Sequence, residues 1–173
     1  MGLNPQLIGK EMPHGFAGAY TRQPDMIVNT RPAGGAAAIP FGQALKYDGS
    51  GNVVAMSAGA TAAQFVGVAG KEIRTALAYL DPSQGQYAVG EPVSVFMRGS
   101  INVKCNNGSP KVGGDVYVRV AANEGLPNAP VGGFEAVSDA TAANTIKLTN
   151  CQWGSSADAN GVAELVILTR LNA

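Results

Sequence analysis

One histidine, two cysteines and twelve carboxylates are the first places to look for acid–base, thiol or metal chemistry in this 173-residue chain. His14 sits between Pro13 and Gly15. A Ser-His-Asp or Cys-His site needs its base held rigidly against the nucleophile, and a Pro/Gly stretch is a poor support for one. Cys105, Cys151 and His14 are too scattered to ligate a metal, and two cysteines make no disulfide framework. Both cysteines lie in strand-like contexts, so separately buried, reduced thiols are expected. Asp158-Ala159-Asn160-Gly161 opens like a calcium loop, but no third oxygen ligand follows at the right step and no closing Glu. That leaves ordinary turn chemistry. Gly67-Val68-Ala69-Gly70-Lys71 resembles the tail of a phosphate loop without its leading glycine, and Glu72 stands where Ser or Thr must hold magnesium. Glu135 and Asp139 have the types for glycosidic work. Nothing in the sequence puts them in a cleft, so they read as solvated turn residues. Trp153, Tyr117 and Phe96 would make a sugar platform or, more commonly, part of a core. Asn107-Gly108-Ser109 matches a glycosylation acceptor with no secretion leader beside it. No catalytic, cofactor-binding or metal-ligating residue is assigned.

The elements that carry these residues read as strands and turns. Val89-Gly90, Val112-Gly113 and Val131-Gly132 each introduce a short extended run, and glycine at φ > 0 can swing the chain round before a strand. After the first turn, Val93, Val95 and Met97 alternate with Ser94, Phe96 and Arg98. Past Arg98-Gly99-Ser100, Ile101, Val103 and Cys105 alternate with Asn102 and Lys104. Two period-2 runs about a glycine predict a β-hairpin there. Gln43 to Tyr47, the turn Asp48 to Asn52, and Val53 to Ala55 predict another. Phe65 to Ala69 reads as a buried strand whose glycine marks a bulge or a close approach. Val116 to Val120, Phe134 to Val137, Thr145 to Leu148 and Cys151 to Trp153 complete the short strands. The run Gly161 to Leu171 is apolar on both faces at Leu165 to Leu168 and reads as a central strand. Ile73, Leu77 and Leu80 fit one short helix within Lys71 to Leu80.

Glycine is abundant at 23 residues and charge is sparse at 14%, balanced at 12 against 12. Many tight turns are implied, with no field to hold nucleic acid or an anionic membrane. No apolar run approaches the ~20 residues that span a bilayer. A soluble protein made in a cytoplasm is expected. Residues 1–38 differ from the rest: Pro5, Pro13, Pro24 and Pro32 forbid helix and central strand, and only Met26-Ile27-Val28 looks extended. Yet Leu7, Ile8, Met12, Phe16 and Tyr20 are too apolar for a solvated tail. An arm ordered on a neighbouring molecule and a segment packed on its own domain both fit. The expectation is therefore an all-β protein, a β-sandwich or barrel (jelly-roll-like) at 39–173, with an extended N-terminal arm at 1–38.

The order of motifs resembles a known family. Ile39-Pro40-Phe41-Gly42-Gln43-Ala44-Leu45, Phe65-Val66-Gly67-Val68-Ala69 and Tyr87-Ala88-Val89-Gly90-Glu91-Pro92-Val93-Ser94-Val95 are similar to a tailed-phage capsid cement (decoration) protein. So are Arg98 to Val103, Gly114-Asp115-Val116-Tyr117-Val118, Ala163 to Leu171, and His14-Gly15-Phe16-Ala17-Gly18 in the arm. The resemblance covers about residues 13–172 and rests on structural motifs. It implies a non-enzymatic virion protein without cofactors, bound to the exterior of an icosahedral head and bridging major capsid protein subunits. It also leaves room for a homo-oligomer, dimer or trimer. Lys71 to Gln86 and Asn123 to Gly133 are longer than the family pattern leads one to expect. The competing reading is a β-sandwich carbohydrate- or receptor-binding module, or a tail-associated one. A small enzyme comes third, lacking a base and nucleophile pair.

Overall fold

The computed structural model describes residues 13–71 and 85–169. The helix expected beyond Lys71, and Leu7, Ile8 and Met12 of the arm, lie outside the described residues. Strands are numbered along the chain. The spine is β7 (Pro92–Lys104), which is bonded on both sides along its length. Val95 stands opposite Asn29 of β1 (Ile27–Pro32) and Ala69 of β5 (Gly67–Ala69). Ile101 stands opposite Tyr20 and Leu165 of β12 (Val162–Ile167). Beyond β5 come β3 (Ala44–Tyr47) and β4 (Val53–Ala55), the expected hairpin; beyond β12 comes β11 (Cys151–Trp153). The central position expected for the terminal run holds, although Leu168 lies past β12 and is exposed.

The hairpin expected at Arg98-Gly99-Ser100 does not form; β7 runs straight through it. Ile27 pairs with Arg98 and Val28 with Phe96, so Met97 is one extra residue on β7. This is a β-bulge, and a one-residue slip exchanges the two faces. Phe96 and Ile101, five apart, therefore enter the same apolar cluster, while Val93 and Val95 enter another. Gly99, at φ +104°, follows the bulge; a Cβ there would collide with the Asp25 carbonyl. A bulge and a turn leave the same trace in sequence: a glycine between two alternating runs.

A second sheet, β10–β8–β9, is built from β8 (Val116–Arg119), β9 (Phe134–Glu135) and β10 (Thr145–Leu148). Val116, Val118, Phe134 and Leu148 from this sheet meet Phe96, Ile101, Val103, Trp153, Leu165 and Ile167 from the first. That face-to-face core makes the all-β chain a sandwich. Neither sheet closes into a barrel, although a lone bridge between Ala33 and Val53 brings the end of β1 to β4. Ile39, Leu45, Val53, Tyr87, Val93 and Val95 form the second cluster, beneath the short pair β2 (Ile39–Pro40) and β6 (Gln86–Tyr87). All three Val-Gly turns are present: Gly90, Gly113 and Gly132 lie at φ +83°, +75° and +84° and lead into β7, β8 and β9. The glycine in β5 is a close approach rather than a bulge, since a Cβ on Gly67 would collide with the Phe96 carbonyl.

The proline-rich start joins β7 by backbone-to-backbone hydrogen bonds from residue 18 onward. The Gly18 N–H donates to Asn102 O at 2.7 Å, Asn102 N–H to Ala19 O at 2.9 Å, and Thr21 N–H to Ser100 O at 3.0 Å. After a break at residues 22–26, β1 continues along β7 to Pro32, further than the expected Met26-Ile27-Val28. The described part of the segment is thus seated on its own sheet.

Candidate functional site

Two constellations gather the polar side chains of interest. The first is where residues 14–22 cross β7 and β12. Ile101, Val103 and Leu165 point into the core, so Asn102 and Glu164 point out of it, and the N-terminal segment covers them. Asn102 donates to the His14 carbonyl and accepts from Thr21 Oγ1 at 3.0 Å. Arg22 forks onto Glu164, Nε to Oε1 at 2.7 Å and Nη2 to Oε2 at 3.1 Å. The hydrogen bond from Arg22 holds the Glu164 carboxyl below the usual carboxylate range, against the opposing effect of burial. Tyr20 stacks on Phe96 at 5.2 Å between centroids.

His14 brings a serine and an aspartate with it, without making a triad. Its Nε2 lies 3.2 Å from both Ser155 Oγ and Ser156 O. Asp158 Oδ2 accepts the His14 backbone N–H at 2.8 Å, so the carboxylate orients the main chain and not the imidazole. The Ser155 hydroxyl is already engaged, accepting from Glu164 N–H and donating to Ser156 O, each at 2.9 Å. A triad needs the acid on the ring's other nitrogen and the hydroxyl directed at a substrate. Asp158 Oδ1 closes the expected turn, accepting from Asn160 and Val162 N–H at 2.8 and 3.0 Å. Burial works against its ionisation, but the Val162, His14 and Asn160 amides outweigh that and hold its pKa down.

The second constellation corrects the reading of Glu135 and Asp139 as solvated. Both are buried, and both bond Arg119, itself fully buried. Arg119 Nε and Nη2 fork onto Glu135, the latter at 3.0 Å, and Nη1 reaches Asp139 Oδ2 at 2.8 Å. Asn107 Nδ2 supports Glu135 at 3.2 Å, and Asn123 Nδ2 supports Asp139 at 2.8 Å. Bonds from Asn123, from the Thr141 amide and from Arg119 hold Asp139 far below the ordinary carboxylate range. Burial opposes the charge on Arg119, and its bonds to Glu135 and Asp139 raise its pKa regardless. Tyr117 and Arg119 share the face of β8 turned from the core, so loops on either side roof this face. Asn123, from the stretch that departs from the family pattern, is one of the ties. Arg119 went unremarked in the sequence, although a lone arginine inside Val-Tyr-Val-Arg-Val is the signal of a buried partner.

The remaining candidates fall to structural roles. Trp153 and Phe96 are core residues, which removes two rings from the sugar platform; Tyr117 is half-buried. Cys105 and Cys151 are free and buried, and burial pushes both thiols up. Asn107 serves Glu135. Lys71 lies with Nζ 3.9 Å from the centre of the exposed Phe16 ring, a cation–π contact with the N-terminal segment 13–33, the strap laid along β7, and not a phosphate contact.

In both constellations the charged groups of the β-sandwich are turned upon one another. The chain belongs to the phage structural cement protein family: the family described as Structural cement protein (E217 gp24/Pam3 gp6) matches residues 4–168. A solved chain described as "The capsid of Myoviridae Phage XM1" superposes with a TM-score of 0.70 at 18% identity, covering 96% of this chain and 98% of the other. At that identity the likeness is one of fold. No curated protein matches the chain.

Proposed function

We propose that this chain binds the exterior of a tailed-phage icosahedral capsid and cements neighbouring major capsid protein subunits, without catalysis. Membership of the structural cement family over residues 4–168 is the observation that carries this reading. In it, residues 39–173 are the body and residues 1–38 the arm, whose described part is anchored on β7 while Phe16 stands 69% exposed. An exposed ring on a backbone already held in place offers contact area at little further loss of conformational entropy. The protein acts as a homo-oligomer, dimer or trimer, and linked contacts raise its avidity for the shell. It needs neither nucleic acid nor membrane, is made in the host cytoplasm, and resides in the virion. The carbohydrate-binding alternative loses its footing with Trp153 and Phe96 in the core.

The test is co-sedimentation of purified protein with capsids lacking it, followed by reconstruction of the decorated particle and heat-induced DNA release. Saturable decoration of the outer surface between major capsid subunits, with delayed DNA release, supports the reading. Absence of binding, or a few copies confined to the tail, overturns it.

A further inference from the structure

Three steps in the described chain place glycine after aspartate or asparagine: Asp48–Gly49, Asn107–Gly108 and Asn160–Gly161. Each sets a backbone nitrogen, uncrowded by any Cβ of its own, beside the side-chain carbonyl carbon of the residue before it. That is the arrangement that closes a five-membered imide. The fold treats the three steps differently. Asp48 accepts from the Ser50 amide at 2.8 Å, the Asn52 amide at 3.2 Å and Asn52 Nδ2 at 2.9 Å, and a carboxylate so anchored is a poor target for an amide nitrogen. Asn107 is half-buried, its Nδ2 held on the buried Glu135 at 3.2 Å and its carbonyl on Ala136 N–H at 2.8 Å. Turning that carboxamide toward Gly108 would strip a donor from a charge that water cannot reach. Asn160 stands at the exposed tip of the Asp158 turn, and its carboxamide has no hydrogen bond among the described residues. What opposes reaction there is a neutral bond, from Gly161 N–H to Asp158 O at 3.0 Å, at a loop tip where local opening costs least.

We propose that Asn160 is a site of spontaneous covalent change, its carboxamide converting to aspartate and isoaspartate with water as the only reagent. Gly161 N gives its proton to water and bonds Asn160 Cγ. The Cγ–Nδ2 bond breaks, and the departing nitrogen takes a proton back from water and leaves as ammonia. A second water opens the imide. Addition at Cγ restores the peptide bond and leaves aspartate; addition at the main-chain carbonyl leaves the chain running through Cγ as isoaspartate. Nothing is oxidised or reduced. Both products act on the strap through Asp158. Its Oδ1 accepts the Asn160 and Val162 amides at 2.8 and 3.0 Å, and its Oδ2 accepts His14 N–H at 2.8 Å. A new carboxylate two residues away repels Asp158, and isoaspartate adds one carbon to the backbone that closes the turn. The amides that fix Asp158 shift, and His14 loses its acceptor. Asn160 thus times the release of the first residues of the strap.

Full-length protein aged in heavy-oxygen water, either folded or in guanidinium chloride, and then mapped by peptide mass spectrometry tests this. Each conversion takes up one labelled oxygen. Denaturant removes the fold, so both asparagines label at similar rates there. In the folded protein Asn160 labels at least about tenfold faster than Asn107, the ratio expected when one restraining bond is neutral and the other goes to a buried charge. Aged protein then shows faster amide exchange across residues 13–22. Asn160→Gln, whose longer side chain closes a ring far more slowly, keeps the mass and the exchange of fresh protein. A smaller ratio, or no label at Asn160 in the folded chain, overturns the assignment. Label at Asn160 with exchange across residues 13–22 unchanged overturns the link to the strap.

Discussion

Arg119 and Arg22 make the same fork onto a glutamate, and their surroundings give the two pairs opposite weights. Arg119 lies under the roof of the small sheet with both partners buried; Arg22 lies on the strap with its side chain 72% exposed and its partner 5% exposed. Removing a cation from the first site strands two carboxylates where water cannot reach them. Removing it from the second opens a way for water to reach one. Desolvation, far more than distance, separates these cases: exposed pairs contribute little, whereas breaking a buried pair leaves an uncompensated charge. Arg119→Met should therefore give the largest effect, about 3–5 kcal/mol of lost stability in urea unfolding. Adding Glu135→Leu to Arg119→Met should recover part of it, because one orphaned carboxylate goes with the partner. A loss below about 1 kcal/mol for Arg119→Met alone would mean that water enters beneath the roof, and the contrast between the two arginines would collapse.

On the strap side the backbone matters more than the ion pair. Gly99 combines φ +104° with contact against the Asp25 carbonyl, whereas Gly90, at φ +83°, has nothing within 4 Å of where a Cβ would stand. Gly99→Ala meets both strain and a collision with Asp25, in the middle of the segment 13–33 that is seated on β7. Its expected cost is about 2–3 kcal/mol, with faster amide exchange at Asn102 and Thr21. Gly90→Ala meets strain alone, roughly 1–2 kcal/mol. Equal losses in thermal unfolding would show that the close approach at Gly99 is not what seats the strap.

These two glycines also mark how far the sequence could be read. Gly90 was legible because a Val-Gly step before an alternating run has one physical use, a turn at positive φ, and Gly113 and Gly132 repeat it. Gly99 was not, because a bulge and a hairpin turn both place a glycine between two alternating runs. The distinguishing mark was parity: Phe96 and Ile101 are five apart yet share a core. Glu135 and Asp139 were visible as a pair of acids, but their environment is made by Arg119 and by roofing loops with no periodic pattern. Strand positions follow from local alternation; the burial of a charge depends on contacts distant in sequence. The seating of residues 13–33 belongs to the same class, since a Pro-rich segment states only what it cannot form.

Arg22→Ala is expected to have the smallest effect, and its dependence on pH is what identifies it. Glu164 has a folded-state pKa held below its unfolded value by Arg22. A depressed carboxyl adds stability above the unfolded pKa, near ~4.3, because the unfolded chain binds the proton more tightly there. The contribution is lost as pH falls through the folded pKa. Wild type should therefore exceed Arg22→Ala at neutral pH, and the two should converge on acidification below about pH 4 as Glu164 protonates in both. Raised salt should shrink the neutral difference as well, since Arg22 is exposed to screening. Asp139 obeys the same sign in both proteins and cancels from the comparison. Melting temperatures of the pair from pH 7 to pH 2 are the measurement. A gap that persists unchanged into acid would assign Arg22 to packing, with its methylene stem covering β12, and not to its charge.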